Sequence, residues 1–244
     1  MLSLNSFFND PQVLALVSDR SVDFSLNPDK MSGRNGQAAF SPEQKDFLLK
    51  HIGPLEQKIW ERIVFLKQMH GAEVVCVGKT EVSPSPFPEA DALITREEGV
   101  PLAVRSADCL PIFLFDPETK AVGLVHAGWR GSLQGIVKNT VQRMMREWKT
   151  DPQDLKAAFG PALRDCCYRV GAEFKEYFPE EIHQISDEFT LDLALVNKNQ
   201  LLSVGVKADN IFDCGICTSC DSRFFSYRRE EEKAGRMISL VMLK

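Results

Sequence analysis

The stretch "ADCLPIFLFDPETKAVGLVHAGWRG", Ala107 to Gly131, constrains this chain more than any other. Two apolar runs flank the polar turn Asp116 to Lys120, so the segment reads as a buried β-hairpin. Pairing Phe115 with Lys120 puts Cys109 directly opposite His126, on one face and with Cβ atoms ~4.5–5.5 Å apart. A register one residue different sends the two side chains to opposite faces. In the paired register they can share a zinc ion, at Zn–S ~2.3 Å and Zn–N ~2.0 Å. Three readings stay open: two ligands of a metal, a Cys–His nucleophilic pair, or a buried thiol beside a hydrogen-bonded structural histidine. The adjacent Asp108 makes the cysteine's position less like plain core.

The elements around the hairpin mix strands and helices without a βαβ rhythm. The expected fold is therefore α+β, with mixed β-sheets layered against flanking helices in a single catalytic domain spanning residues 1–244. "FSPEQKDFLLKHIGP" predicts a helix with Ser41 as N-cap, Pro42 at N1, Gln44 completing a capping box, and Gly53 and Pro54 ending it. "ERIVFLKQ" and "AEVVCVG" predict strands on either side of a tight bend at His70 and Gly71. "VSPSPFPEA" reads as a surface loop, and "ALITREEGVPLAVRS" as two short strands. Leu133, Ile136, Val137, Thr140, Val141, Met144, Met145 and Trp148 recur at helical steps and predict one long helix facing the core. "LKAAFGPA" and "MISLVML" read as strands, "AEFKEYF" and Asp192 to Val204 as short helices. The glycines of "HAGWRG", Gly128 and Gly131, lie at a strand-to-helix junction. They mark either a simple turn or an anion cradle to which Arg130 adds charge.

Bulk properties narrow the function. At 244 residues with 44% hydrophobic and 26% charged residues, the chain is an ordinary globular one. A net charge of −5 argues against a nucleic-acid partner. No apolar run is long enough for a bilayer, and the N-terminus lacks the features of a signal peptide, so no membrane partner is expected. Seven cysteines without disulfide-scaffold spacing suit a reducing, cytoplasmic setting.

From Gln68 to Met237 the motifs "QMHGAEV", "ADALIT", "SADCLPI", "VHAGWRG", "GPALRDCCYRVG" and "FFSYRR" followed by "GRM" occur in this order. Together they resemble the YfiH-type family, historically called multicopper polyphenol oxidases or laccases. Its bacterial members are described as purine nucleoside phosphorylases with adenosine deaminase activity. The resemblance implies that His70, Cys109 and His126 bind one catalytic Zn2+ per chain, with copper the less favoured metal. It also implies a purine nucleoside (adenosine, inosine, guanosine or methylthioadenosine) and phosphate as the molecules bound; a monomer or weak homo-oligomer is expected. Two departures stand out. "SDRSVDFSLNPDKMSGRNG" keeps Arg20, Leu26 and Asn27 of the family's N-terminal pattern but not its paired glycines, and Arg169 replaces a glutamate.

In phosphorolysis, phosphate attacks C1′ of the ribose, and Arg20, Arg105, Arg130, Arg228 and Arg229 are the candidates for holding it. In deamination at C6 of adenine, Asp108 or Asp91 would move the proton. Cys109, Asp108 and Arg130 are thus the expected catalytic residues. Three rivals remain. A polyphenol oxidoreductase needs a His-rich set, and four histidines cannot build a multicopper cluster. A metal-free Cys–His hydrolase acting on cell-wall peptides leaves His70 without a role. A non-catalytic zinc-stabilised binding module needs a fourth ligand that the neighbourhood does not offer. "CGICTSC" spaces Cys214, Cys217 and Cys220 as C-x2-C-x2-C without a fourth local ligand. A structural or redox-labile cluster is expected there rather than a second metal site, with vicinal Cys166 and Cys167 as unpaired thiols.

Overall fold

The hairpin is the spine of the molecule: β6 (Leu110–Asp116) and β7 (Ala121–Ala127) pair antiparallel, and every residue of both is buried. The structure is a computed structural model and describes residues 1–25, 40–52, 59–78 and 87–244. Strands covered on both faces can be apolar throughout, which explains two runs without polar alternation. The observed register corrects the expected one. Asp116 pairs with Ala121 and Pro111 with His126, a shift of two residues. The cause is the turn. The Asp116 carboxylate accepts hydrogen bonds from the Glu118 and Thr119 backbone N–H groups and from Thr119 Oγ1, and Lys120 takes a φ of 52°. That Asx-type closure takes in the four residues from Pro117 to Lys120. Because the shift is even, Cys109 stays on the face of His126 but lies just beyond the end of the ladder.

Six strands form the central sheet in the order β12 (Ile211–Asp213), β8 (Lys156–Phe159), β6, β7, β4 (Ala92–Thr95), β3 (Val74–Cys76). A second sheet has the order β1 (Leu2–Ser3), β2 (Val13–Val17), β13 (Met237–Leu243), β5 (Leu102–Ser106). A small third sheet comprises β10 (Ile182–Ile185), β11 (Glu188–Leu191) and β9 (Arg169–Val170). Phe113, Phe115, Val122 and Leu124 pack on Val13, Ala15, Val17, Val104 and Val241 of the second sheet and form the core between the two large sheets.

The alternate residues Ile112, Leu114, Val125 and Ala127 face the other way, onto Ile136, Val137, Val141 and Met144 of α4 (Ile136–Trp148). Beyond the second sheet, Leu14, Leu16, Ala103 and Leu240 pack on Phe47, Leu48 and Ile52 of α2 (Pro42–Ile52). The layers thus run helix, sheet, sheet, helix, an α+β arrangement in which strand alternation feeds a different core on each face. The remaining helices are α1 (Asn5–Phe8), α3 (Trp129–Leu133), α5 (Phe174–Tyr177), α6 (Leu193–Ser203) and α7 (Tyr227–Glu230). None of the described helices is long and apolar enough to cross a membrane.

Local signals explain several boundaries. The capping box on α2 is present: Ser41 Oγ accepts from the Gln44 N–H at 3.2 Å, and Gln44 Oε1 accepts from the Ser41 N–H at 2.8 Å. Gly53, Pro54, Leu26, Asn27 and most of the proline-rich loop lie outside the described residues. Asp192 Oδ1 caps α6 by accepting from the Ala194 and Leu195 N–H groups. Two expectations need correction. The long helix is broken at Gly135, whose φ of 77° ends α3 and starts α4, leaving Leu133 exposed. Residues 61–68 form no strand, only isolated bridges at Val64 and Lys67.

Candidate active site

The site grows from one buried carboxylate. Asp91 immediately precedes β4, and its carbonyl accepts from the His126 N–H at 2.7 Å, so the two residues are cross-strand neighbours. Their side chains share a face, and His126 Nδ1 meets Asp91 Oδ1 at 2.8 Å. The same carboxylate accepts the backbone N–H groups of Met69, His70 and Gly71 at 2.7–3.0 Å. Asp91 therefore moulds the bend that presents His70 and also aims the His126 ring, leaving its Nε2 free to ligate. This is how a ligating histidine is normally oriented. His70 and Asp108 both have positive φ, 58° and 91°. Backbone strain of this kind persists only where surrounding bonds over-determine it.

The donor atoms of His70, Cys109 and His126 all lie within 4.8 Å of one another. The His70 and His126 rings meet edge to face, with centroids 4.9 Å apart. Burial alone would push the Cys109 thiol up, but His126 and then His70 bring it down to about 6. Burial would likewise lower His126, yet Cys109 and Asp91 raise it to about 9. The thiolate is the metal-binding form of cysteine. Two imidazoles and one thiolate, with a backing carboxylate, fit a single zinc ion. They do not fit a multicopper cluster.

The glycines beside the site have a packing reason. A Cβ at Gly128 would stand 3.0 Å from His70 Cδ2 and 3.2 Å from Cys109 Sγ, and one at Gly131 would stand 2.7 Å from the Gly71 carbonyl oxygen. Gly131→Ala is accordingly expected to cost ~1–3 kcal/mol of stability by forcing the His70 bend off the helix, measurable by denaturant unfolding. The helix that follows, α3, has only five residues. Arg130 is exposed, with its guanidinium 4.3 Å from the Trp129 ring centroid.

A cavity of about 450 Å³ opens over the three donors, a size ordinary for small-molecule sites. Of the five arginines expected at phosphate, Arg105 and Arg228 line it; Arg20, Arg130 and Arg229 are not among its lining residues. Arg20 pairs with Glu230 at 3.0 Å. Arg229 donates to the Thr218, Ser219 and Phe224 carbonyls and so braces the loop behind the site. Arg236, part of the "GRM" motif but not among the five arginines expected at phosphate, joins the lining. Arg105 pairs with Ile238 across β5 and β13, and Arg236 lies two residues before Ile238, hence on the same face. Burial and then the neighbouring Arg236 push Arg105 down to about 10, and its Nε is buried with no partner among the described residues. Two crowded cations and an orphaned donor suit an anion.

Asp108 also lines the cavity, but both of its oxygens are engaged. Oδ1 accepts from Thr218 Oγ1 at 2.6 Å and Oδ2 from the Arg228 N–H at 2.6 Å. It ties three chain segments around Cys109. Trp129, Tyr168 and Tyr227 supply aromatic wall.

Comparison with known proteins adds to this geometry. Residues 50–244 match the family described as multi-copper polyphenol oxidoreductase laccase. The protein named purine nucleoside phosphorylase YlmD from Geobacillus stearothermophilus is 36% identical over 197 residues, 74% of this chain and 72% of its own length. A purine nucleoside phosphorylase of Aquifex aeolicus is 36% identical over 183 residues, covering 75% of this chain and 84% of that one. The crystal structure of the Geobacillus YlmD superposes with a TM-score of 0.82 at 30% identity, covering 96% of this chain and 93% of that one.

Proposed function

Because the chain belongs to the multi-copper polyphenol oxidoreductase laccase family, we propose that it is a zinc-dependent purine nucleoside phosphorylase that also deaminates adenosine. Adenosine, inosine, guanosine and methylthioadenosine are its substrates, and the cytoplasm is its setting. The observation that carries the reading is the placement of the His70, Cys109 and His126 donors under a cavity lined by three arginines and three aromatic rings. The names of the relatives supply the substrate class. When bound by His70, Cys109 and His126, zinc supplies Lewis-acid polarisation of an oxygen.

The chain's own residues do the rest. Arg105, Arg236 and Arg228 hold the phosphate dianion, the first two relieved of mutual repulsion by its charge. Tyr168, Trp129 and Tyr227 shelter the nucleoside. A phosphate oxygen forms a bond to C1′ while the C1′–N9 bond breaks, its electron pair leaving with the purine. Asp91 holds the His126 ring and the His70 bend; Asp108 positions the Cys109 turn and the Arg228 backbone. Both carboxylates are positioning residues in this scheme.

The test separates phosphate from nucleoside. Arg105→Ala is expected to raise the KM for phosphate roughly ten- to hundredfold, the worth of ~1.5–3 kcal/mol in a charged hydrogen bond. Arg130→Ala, outside the cavity lining, should change it little. Deamination, which consumes water, should suffer less from Arg105→Ala. Equal loss of both activities would assign Arg105 to the fold or the base instead. The Cys109 thiol brought down by its histidines and the raised His126 favour a second reading, a metal-free Cys–His hydrolase, in which His126 is the base and His70 only supports the thiol.

A further inference from the structure

Behind the Asp108 wall lies a group of sulfurs that the proposed chemistry does not use. The Sγ atoms of Cys166, Cys167, Cys217 and Cys220 all lie within 4.8 Å of one another. Cys166–Cys167 and Cys166–Cys220 are 3.8 Å apart, and Cys167–Cys220 3.3 Å. The ligands that the C-x2-C-x2-C run lacks are thus supplied by the distant Cys166–Cys167 turn, and Cys214 is not a member of the group. In a tetrahedral four-thiolate centre with Zn–S ~2.3 Å, the S–S edges are ~3.8 Å. Sulfurs at this spacing enclose one ion and leave no room for a multi-iron cluster.

We propose that Cys166, Cys167, Cys217 and Cys220 form a second, structural zinc site, which brings the metal content to two ions per chain. Four protein ligands close the coordination sphere, as structural sites do. Binding takes Zn2+ and four thiols to a four-thiolate complex and releases four protons to solvent. The two ligand-bearing turns are already docked. Arg164 forms a bidentate pair with Asp213 at 2.7 and 3.0 Å, and Ala162 bridges to Cys217. The Thr218 N–H donates to the Ala162 carbonyl at 2.9 Å. Arg229 donates to the Thr218 and Ser219 carbonyls and so holds the turn that carries Cys217 and Cys220. The site staples the cavity wall: Tyr168 follows Cys167, and Thr218 bonds Asp108.

The test is metal content and X-ray absorption on the full chain purified under reducing conditions with zinc supplied. Wild-type protein should carry two zinc ions per chain. Cys109→Ala should keep one, with an all-sulfur shell at ~2.3 Å. The double variant C166S/C220S should keep one with a mixed nitrogen and sulfur shell. Cys109→Ala protein without zinc, its four remaining cluster thiols freely reactive or joined as disulfide, overturns the proposal. If the double variant fails to fold, the wild-type count and the Cys109→Ala shell still decide. Zinc in the all-sulfur shell alone would contradict the proposed catalytic centre and leave this one standing.

Discussion

His70→Ala is expected to lower adenosine turnover as severely as Cys109→Ala, by ~10³-fold or more, equivalent to about 4 kcal/mol of lost transition-state stabilisation. Each variant should also fail to hold the zinc proposed for the His70, Cys109 and His126 centre. The fold should persist in the His70 variant, because the bend is held by its backbone. The Met69, His70 and Gly71 N–H groups still meet Asp91 when the imidazole is gone. A cysteine nucleophile activated by His126 alone predicts a mild defect instead. Steady-state kinetics, metal analysis and a thermal melt on both variants decide between the two. Near-normal adenosine turnover by His70→Ala would favour a Cys109–His126 nucleophile over the zinc centre.

Asp91→Asn should be the most damaging conservative change in the molecule. Asp91 is fully buried, and each of its oxygens accepts two hydrogen bonds: Oδ1 from the His70 N–H and His126 Nδ1, Oδ2 from the Met69 and Gly71 N–H groups. An asparagine has one acceptor oxygen, so its NH2 group must face two donors whichever way it turns. Leaving buried donors unpaired costs ~1–3 kcal/mol, and the loss of a ligand's hydrogen-bonded partner weakens metal binding ~10–100-fold. Denaturant unfolding and competition with a zinc chelator measure the two effects. Full zinc affinity in a folded Asp91→Asn protein would remove Asp91 from the site's design.

Much of this was legible in local sequence. The buried hairpin, the Ser41–Gln44 box, the helix that Asp192 caps and the closing strand Met237–Leu243 each rest on residues within a few positions of one another. The hairpin register was not, because Asp116 spends its carboxylate on a turn that apolar patterning does not encode. The apolar run at 61–68 has strand propensity, but propensity says nothing about available ladder partners, and the run finds only isolated bridges. Long-range pairings were hidden altogether. Arg236 reaches the cavity only through the β5–β13 register, and Cys166 and Cys167 meet Cys217 and Cys220 only after two distant turns dock.

Phosphate-dependent cleavage of a purine nucleoside is the reaction proposed for this centre. Incubating metal-assayed wild-type protein with adenosine, with and without inorganic phosphate, reads that reaction out. Adenine and ribose 1-phosphate are expected only when phosphate is present, with a slower formation of inosine that does not require it. Zinc-loaded, folded protein that leaves adenosine intact under both conditions, or releases adenine equally without phosphate, would contradict it.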